Sequence, residues 1–308
     1  MQAAIHALID NVERVIIGKR PVIELAVLAL LCRGHVLLED VPGTGKTMLA
    51  RALARSVDAQ MRRLQCTPDL MPSDITGVAV WDPHALTFRF QPGPVFTPIL
   101  LADEINRATP RAQSALLECM EERHVSVDGE THALPDLFTV LATQNPVEMA
   151  GTFPLPEAQL DRFFVCLSIG YPGPDEELCM LQSQAGRHPI ERLEPVIGVD
   201  AIREARDAVR QVHLGEDVAR YLLAIVGATR NHPDLRLGAS PRGTLALARG
   251  AQAQAWLAGE AFVTPDRVKA LAGPVLAHRL LLDAQAAAMG RDARAVLDEI
   301  VAATPVPV

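Results

Sequence analysis

Residues His35 to Val57 read HVLLEDVPGTGKTMLARALARSV. The apolar run from His35 to Glu39 has the length of a strand, and Met48, Leu49, Ala52, Leu53 and Val57 then recur at helical spacing. The loop Asp40 to Lys46 therefore joins a buried strand to a helix N-terminus. Gly43 and Gly45 let its backbone curl so that consecutive N–H groups face an anion, with the positive end of the helix dipole behind them. Lys46 would reach the β- and γ-phosphates of a nucleotide, and the Thr47 hydroxyl would ligate Mg²⁺. Asp40 stands where the phosphate-loop pattern has its first glycine. The competing reading is an ordinary turn, and the strand before and helix after weigh against it. Lysine is scarce: only Lys19, Lys46 and Lys269 occur in a chain that otherwise uses arginine.

A second site lies downstream. Pro98 to Ala102 (PILLA) is a continuous apolar strand that ends in Asp103-Glu104. Strands of a covered parallel sheet read as unbroken apolar runs, and their carboxyl ends carry functional groups. Asp103 would hold the Mg²⁺ hydration shell and Glu104 would polarise a water. Taken alone, two acids after a strand suit a helix N-cap; the GTGKT loop upstream favours the catalytic reading. Phe138 to Ala142 is another apolar strand, followed by Thr143-Gln144-Asn145. Asn145 suits a contact to the γ-phosphate or the water, and Asn before Pro146 also suits a turn.

At 308 residues, with 49% hydrophobic and 21% charged residues, the chain can bury a sizeable core and fill two domains. A net charge of −8 weighs against a surface built for nucleic-acid phosphates. Five scattered cysteines without a CxxC pair suggest neither a disulfide framework nor a zinc site. The longest apolar run, Leu25 to Cys32, is short of the ~20 residues a bilayer span needs, and no secretory signal is visible. A cytoplasmic protein is expected.

Helices are expected over Ala3–Val15, Pro21–Leu31 and Thr109–Glu122, with a strand over Met61–Cys66. Between the first two, Val15 to Gly18 suits either a cover over a flat adenine ring or a plain turn. Prolines and aspartates from Thr67 to Asp74 are expected to interrupt regular structure. Gly77–Phe90 reads as a hairpin, and His124–Asp128 with Thr131–Leu134 reads as a second around Asp128-Gly129. The last apolar strand is Phe164–Ile169, and YPGPD (Tyr171 to Asp175) marks a boundary between units 1–175 and 176–308. The second unit reads as helical over Glu176–Ala185, Asp200–Val212, Glu216–Thr229, Pro241–Leu257 and Thr264–Leu281. No strand signal returns, and a frayed tail is expected from Ala302.

The GTGKT loop, LLADE (Leu100–Glu104), ATQNP (Ala142–Pro146), LDRFF (Leu160–Phe164) and GASPR (Gly238–Arg242) occur in that order. With them the chain resembles the AAA+ ATPases, and most closely the MoxR family. TPDLMPSDITG (Thr67–Gly77), PGPVF (Pro92–Phe96), LADEINRATPRAQSALLECMEE (Leu101–Glu122) and TQNPVEMAGTFPLPEAQLDRF (Thr143–Phe163) are that family's hallmark stretches. The resemblance implies an α/β P-loop AAA+ core with a five-stranded parallel sheet, two inserted hairpins facing the substrate and a C-terminal all-α lid. ATP and Mg²⁺ are the implied cofactors, held by Pro42, Gly43, Thr44, Gly45, Lys46, Thr47 and Met48 with Ile17 and Gly18, and by Asp103 at the metal. Asn145 would be the sensor on the γ-phosphate, and Arg242 would close over the nucleotide from the lid. Arg162 is the candidate arginine finger, with Arg107 and Arg123 as rivals. A finger in trans implies a homo-oligomeric ring, with six subunits expected. Implied activities are ATP-driven, chaperone-like remodelling, activation or metal-cofactor insertion on a client, including proteins with von Willebrand factor A domains. The competing classes are a nucleic-acid motor and a nucleotide-gated scaffold.

Overall fold

In a computed structural model, the structure describes residues 1–146, 151–183 and 188–307. The chain opens with α1 (Gln2–Glu13) and α2 (Arg20–Leu31), followed by β1 (Val36–Glu39), α3 (Lys46–Ser56) and β2 (Met61–Gln65). Then come α4 (Pro72–Thr76), the hairpin β3 (Gly77–Asp82) and β4 (Thr87–Pro92), β5 (Ile99–Asp103) and α5 (Pro110–Glu122). A second hairpin, β6 (His124–Val127) and β7 (Glu130–Ala133), precedes β8 (Thr139–Gln144), α6 (Glu157–Leu160) and β9 (Val165–Leu167).

Five strands form one parallel sheet in the order β2-β5-β8-β1-β9. Alternation sends neighbouring side chains to opposite faces. Leu38, Leu101 and Leu141 pack in one apolar cluster with α1, α2 and α3. Leu37, Leu100, Val140 and Ala142 pack in the other, with α5. The central strands are covered on both sides, which is why they read as unbroken apolar runs. Burying each such leucine contributes about 1.5–3 kcal/mol.

The carboxyl-terminal region consists of α7 (Pro174–Ser183), α8 (Val199–Arg210), α9 (Glu216–Arg230), β10 (Leu235–Leu237), α10 (Pro241–Leu257), α11 (Pro265–Leu276), β11 (Leu281–Leu282), α12 (Ala284–Ala288) and α13 (Ala293–Ala303). The expected end of its first helix, at Ala185, lies outside the described residues, and α7 begins at Pro174. Helix α2 packs on α8 and α10, and α1 packs on α10, so the N-terminal helices share a core with this helical region.

Three expectations need correction. The stretch Thr67 to Asp74 does contain the start of a helix, because Pro72 opens α4 at a position where no N–H is needed and Asp74 Oδ2 accepts the Met71 N–H at 2.8 Å. Strands do return: β10 pairs antiparallel with β11, in segments too short to show alternation. The helical region also runs past Leu281, since α13 buries Val296, Leu297 and Ile300 and is helical through Ala303.

Candidate functional site

All strands of a parallel sheet end on one edge, and register decides which ends are level. Glu39 pairs with Gln144, Ala102 with Ala142 and Gln65 with Asp103. The loop after β1, the acids after β5 and Asn145 after β8 therefore leave the same carboxyl edge, with β8 between the other two strands.

The glycine loop has the backbone its sequence requires. Gly43 and Gly45 have φ of +88° and +94°, a region that disfavours any side chain, and Gly45 caps α3. Pro42 is exposed at the loop tip. Lys46 Nζ donates to the carbonyl oxygens of Asp40 at 2.6 Å and Val41 at 3.0 Å, folded back over the loop it would share with a phosphate. Burial pushes its ammonium below the ordinary value, while Asp40, Asp103 and Glu104 pull it back up. Thr47 occupies the first turn of α3.

The departure from the loop pattern at Asp40 has a structural reason. Its Oδ2 accepts the N–H groups of Ile169 and Gly170, both at 2.7 Å, and the Ser168 hydroxyl at 3.2 Å. A glycine would leave these donors unpaired. Asp40 thus ties the loop to the segment after β9, and that segment forms one wall of a cavity of about 480 Å³. Gly43, Thr44, Gly45 and Met48 line the loop side, and Val15, Ile16 and Ile17 lie across it. Gly18 does not join them: at φ +71°, it packs so closely on Glu176 that a Cβ would fall 1.9 Å from the carboxylate, and it makes the turn into α2.

Asp103 and Glu104 are held from the two strands that flank β5, namely β8 and β2, and from the turn that follows them. Thr143 on β8 donates its hydroxyl to Asp103 Oδ1 at 2.6 Å and accepts the Glu104 N–H at 2.8 Å. Glu104 takes φ +57°, an uncommon conformation for a residue with a side chain and one that clusters at functional sites. Its Oε2 accepts from Gln65 Nε2 and Arg107 Nη1, each at 3.1 Å. On Asp103 Oδ2, Arg63 places Nη2 at 2.6 Å and Nε at 3.1 Å. Thr143, Gln65 and Arg63 were not singled out from sequence. The available signal was position: polar residues at the carboxyl ends of strands flanking the acids. Thr47 and Asp103 offer hard oxygen donors on one edge, and Asp103 already draws a cationic partner, so this donor set suits Mg²⁺.

Arg162 and Arg242 occupy the other end of the sheet. His35 and Phe164 are bonded where β1 and β9 begin, and the His35 ring contacts the Met120 carbonyl. Beside Met120, Glu121 takes both arginines: Arg162 Nε at 3.1 Å from Oε2, and Arg242 Nη2 on Oε1. At about 3.3 Å per residue, the five steps from His35 to Asp40 put this amino edge ~16 Å from the chain's own glycine loop. Arg242 pairs with Glu121 and Asp161 and is not among the residues that line the cavity beside its own glycine loop. Its helix is seated by Asp161, which accepts from Ser240 Oγ at 2.9 Å and Arg279 Nη1 at 2.6 Å. Arg107 is paired with Glu104 of its own chain. Arg123 is turned inward, with Nη1 on the Phe138 carbonyl at 3.1 Å and Nη2 on that of Arg33.

Among the described residues, no group of three or more His, Cys, Asp or Glu forms a metal cluster, and no helix is long and apolar enough to cross a membrane. The family model described as "ATPase family associated with various cellular activities (AAA)" matches residues 35–165, and that of the AAA lid domain matches 227–300. YeaC of Bacillus subtilis is 50% identical over 97% of this chain and 94% of its own. The chaperone MoxR1 of Mycobacterium tuberculosis is 36% identical over 100% of this chain and 84% of its own. A crystal structure from Cytophaga hutchinsonii superposes with a TM-score of 0.92 at 35% identity, covering 100% of this chain and 96% of the other. An α/β core with a level acidic edge, a helical lid and these relatives together mean that the chain belongs to the MoxR family of AAA+ ATPases.

Proposed function

We propose that the chain binds ATP with Mg²⁺ at the carboxyl edge and hydrolyses it to remodel, assemble or activate a client protein in a chaperone-like way. The observation that carries this reading is the level placement of the Gly43–Thr47 loop, Asp103, Glu104 and Asn145 on one sheet edge. Lys46 binds the β- and γ-phosphates, Glu104 holds the attacking water as its base, and Asn145 orients that water toward phosphorus. Thr47 and Asp103 would hold Mg²⁺, which would supply neutralising charge to the phosphate oxygens. Ile16, Ile17 and Met48 enclose the base in the apolar part of the cavity.

Arg162 and Arg242 act together, and in trans. They share Glu121 on the edge remote from their own loop, so the phosphate they serve belongs to a neighbouring subunit. A closed ring, with six subunits, supplies such a neighbour to every site. Unit 1–175 carries the nucleotide, and unit 176–308 is the lid that brings Arg242 to the interface.

The hairpin β3–β4 is the contact offered to a client. Its far end presents Trp81, Leu86 and Phe88, at 47%, 71% and 70% exposure, with Trp81 and Phe88 packed edge to face. Its base is fixed, because Phe90 stacks on His132 of the second hairpin. Proteins with von Willebrand factor A domains, and apoproteins awaiting a metal, are the client classes to test first. Glu104→Gln tests the core of this reading: it keeps ATP binding and loses at least ~10²-fold in hydrolysis. Unchanged turnover in that variant would mean that another group activates the water.

A further inference from the structure

Both oxygens of Asp103 are occupied, by partners of different kinds. Oδ1 accepts from Thr143 Oγ1, and Thr143 is 1% exposed on a central strand. Oδ2 accepts from Arg63, whose side chain is 52% exposed on the edge strand β2. The Thr143 contact is fixed in the core, whereas the half-exposed Arg63 side chain has solvent to swing into. Arg63 Nη2 also donates to Gln65 Oε1 at 2.8 Å, and Gln65 Nε2 donates to Glu104 Oε2. A single guanidinium thus reaches the metal-binding acid directly and the proposed base through one side chain.

Charge on this edge gives the arrangement its purpose. Asp103 and Glu104 stand within electrostatic reach of Lys46, and a triphosphate arriving without a cation would meet two carboxylates. We infer that Arg63 is a resident counter-cation. It occupies Asp103 Oδ2 in the metal-free site, yields that oxygen when Mg²⁺ is bound, and so sets the Mg²⁺ concentration at which the nucleotide site fills. This rests on the proposed Mg²⁺–ATP reading of the edge.

The consequence has two opposite signs. Removing the Arg63 charge relieves competition at Asp103, so less Mg²⁺ is needed. It also leaves Asp103 unneutralised, so nucleotide without metal binds more weakly. General damage to the fold would weaken both.

The test is equilibrium binding of a fluorescent ATP analogue, followed by anisotropy in EDTA and across a Mg²⁺ titration, on the full chain with and without Arg63→Gln. A charge pair with one half-exposed partner, whose two guanidinium N–H groups share a single carboxylate oxygen, sets the expected scale: half-saturation in Mg²⁺ falls about 3- to 10-fold, and binding in EDTA weakens about 3- to 10-fold. Arg63→Lys, a cation without the second N–H donor to Oδ2, shifts the Mg²⁺ midpoint down by about 2- to 3-fold. An unchanged or raised Mg²⁺ midpoint in Arg63→Gln overturns the inference, as does unweakened binding in EDTA. If Arg63→Gln loses binding in every arm, Arg63→Lys decides, and an unchanged midpoint there overturns it. A wild-type chain that fails to bind the analogue even with Mg²⁺ would instead bring down the nucleotide reading itself, and this inference with it.

Discussion

Replacing Thr143 with valine removes a hydroxyl and keeps the shape and the strand propensity of the side chain. That hydroxyl serves Asp103 Oδ1 at 2.6 Å and the Glu104 N–H at 2.8 Å, in a place where Thr143 is 1% exposed and no solvent can take over. The bond to the carboxylate is worth about 1.5–3 kcal/mol and the bond from the amide about 1 kcal/mol. A stability loss of about 2–4 kcal/mol is therefore expected in urea unfolding. The kinetic loss has a separate origin. The left-handed backbone of Glu104 depends on this acceptor, and a shift of ~1 Å in its carboxylate costs on the order of 10²-fold in turnover. Steady-state ATP hydrolysis, with nucleotide binding measured alongside, separates the two effects. Thr143→Val is expected to bind ATP but turn it over slowly, and Thr143→Ser is expected to recover most of the rate. Hydrolysis within about twofold of wild type with unchanged stability in Thr143→Val would refute the reasoning.

Asp40→Gly restores the phosphate-loop pattern yet is expected to weaken nucleotide binding and to destabilise the chain by about 2–4 kcal/mol, because the Ile169 and Gly170 N–H groups lose their acceptor; equal or tighter binding of labelled ATP would contradict this. Burial holds His35 and His278 down at about 3. The unfolded chain, with histidines at about 6.5, takes up these protons first, so the stability they confer is complete above that value and is lost as pH falls toward 3. Urea midpoints should decline between pH 7 and pH 5.5, above the carboxylate range, by roughly 1 kcal/mol for each histidine; a flat profile there would show that both rings protonate in the native state.

The parts of the site legible in the sequence were those built from local rules. Strands β1, β5 and β8 are buried on both faces, so each reads as an unbroken apolar run, and the residues immediately after each run must emerge on one edge. The glycines of the loop were legible because their backbone angles admit little else. The hidden parts depend on register and on long-range docking. Arg63 and Gln65 lie on an edge strand of mixed polarity, and only the pairing of Gln65 with Asp103 shows that both point at the acids. Nothing local to GASPR announces that Asp161 will hold Ser240 and Arg279 or that Arg242 will pair with Glu121. The same holds for Gly18, whose neighbour Glu176 is distant in sequence. The β10–β11 ladder was missed because two or three residues carry no period.

The claim on which the account depends is that each hydrolysing site takes its acids from one subunit and its arginines from the next. Mixing Glu104→Gln chains with Arg162→Ala chains, each inactive alone, tests it most directly through the ATP hydrolysis rate of the mixed assembly. Restored turnover, rising to a maximum near equal proportions, is the predicted result. Mixed assemblies that form but stay as inactive as their parents would contradict it.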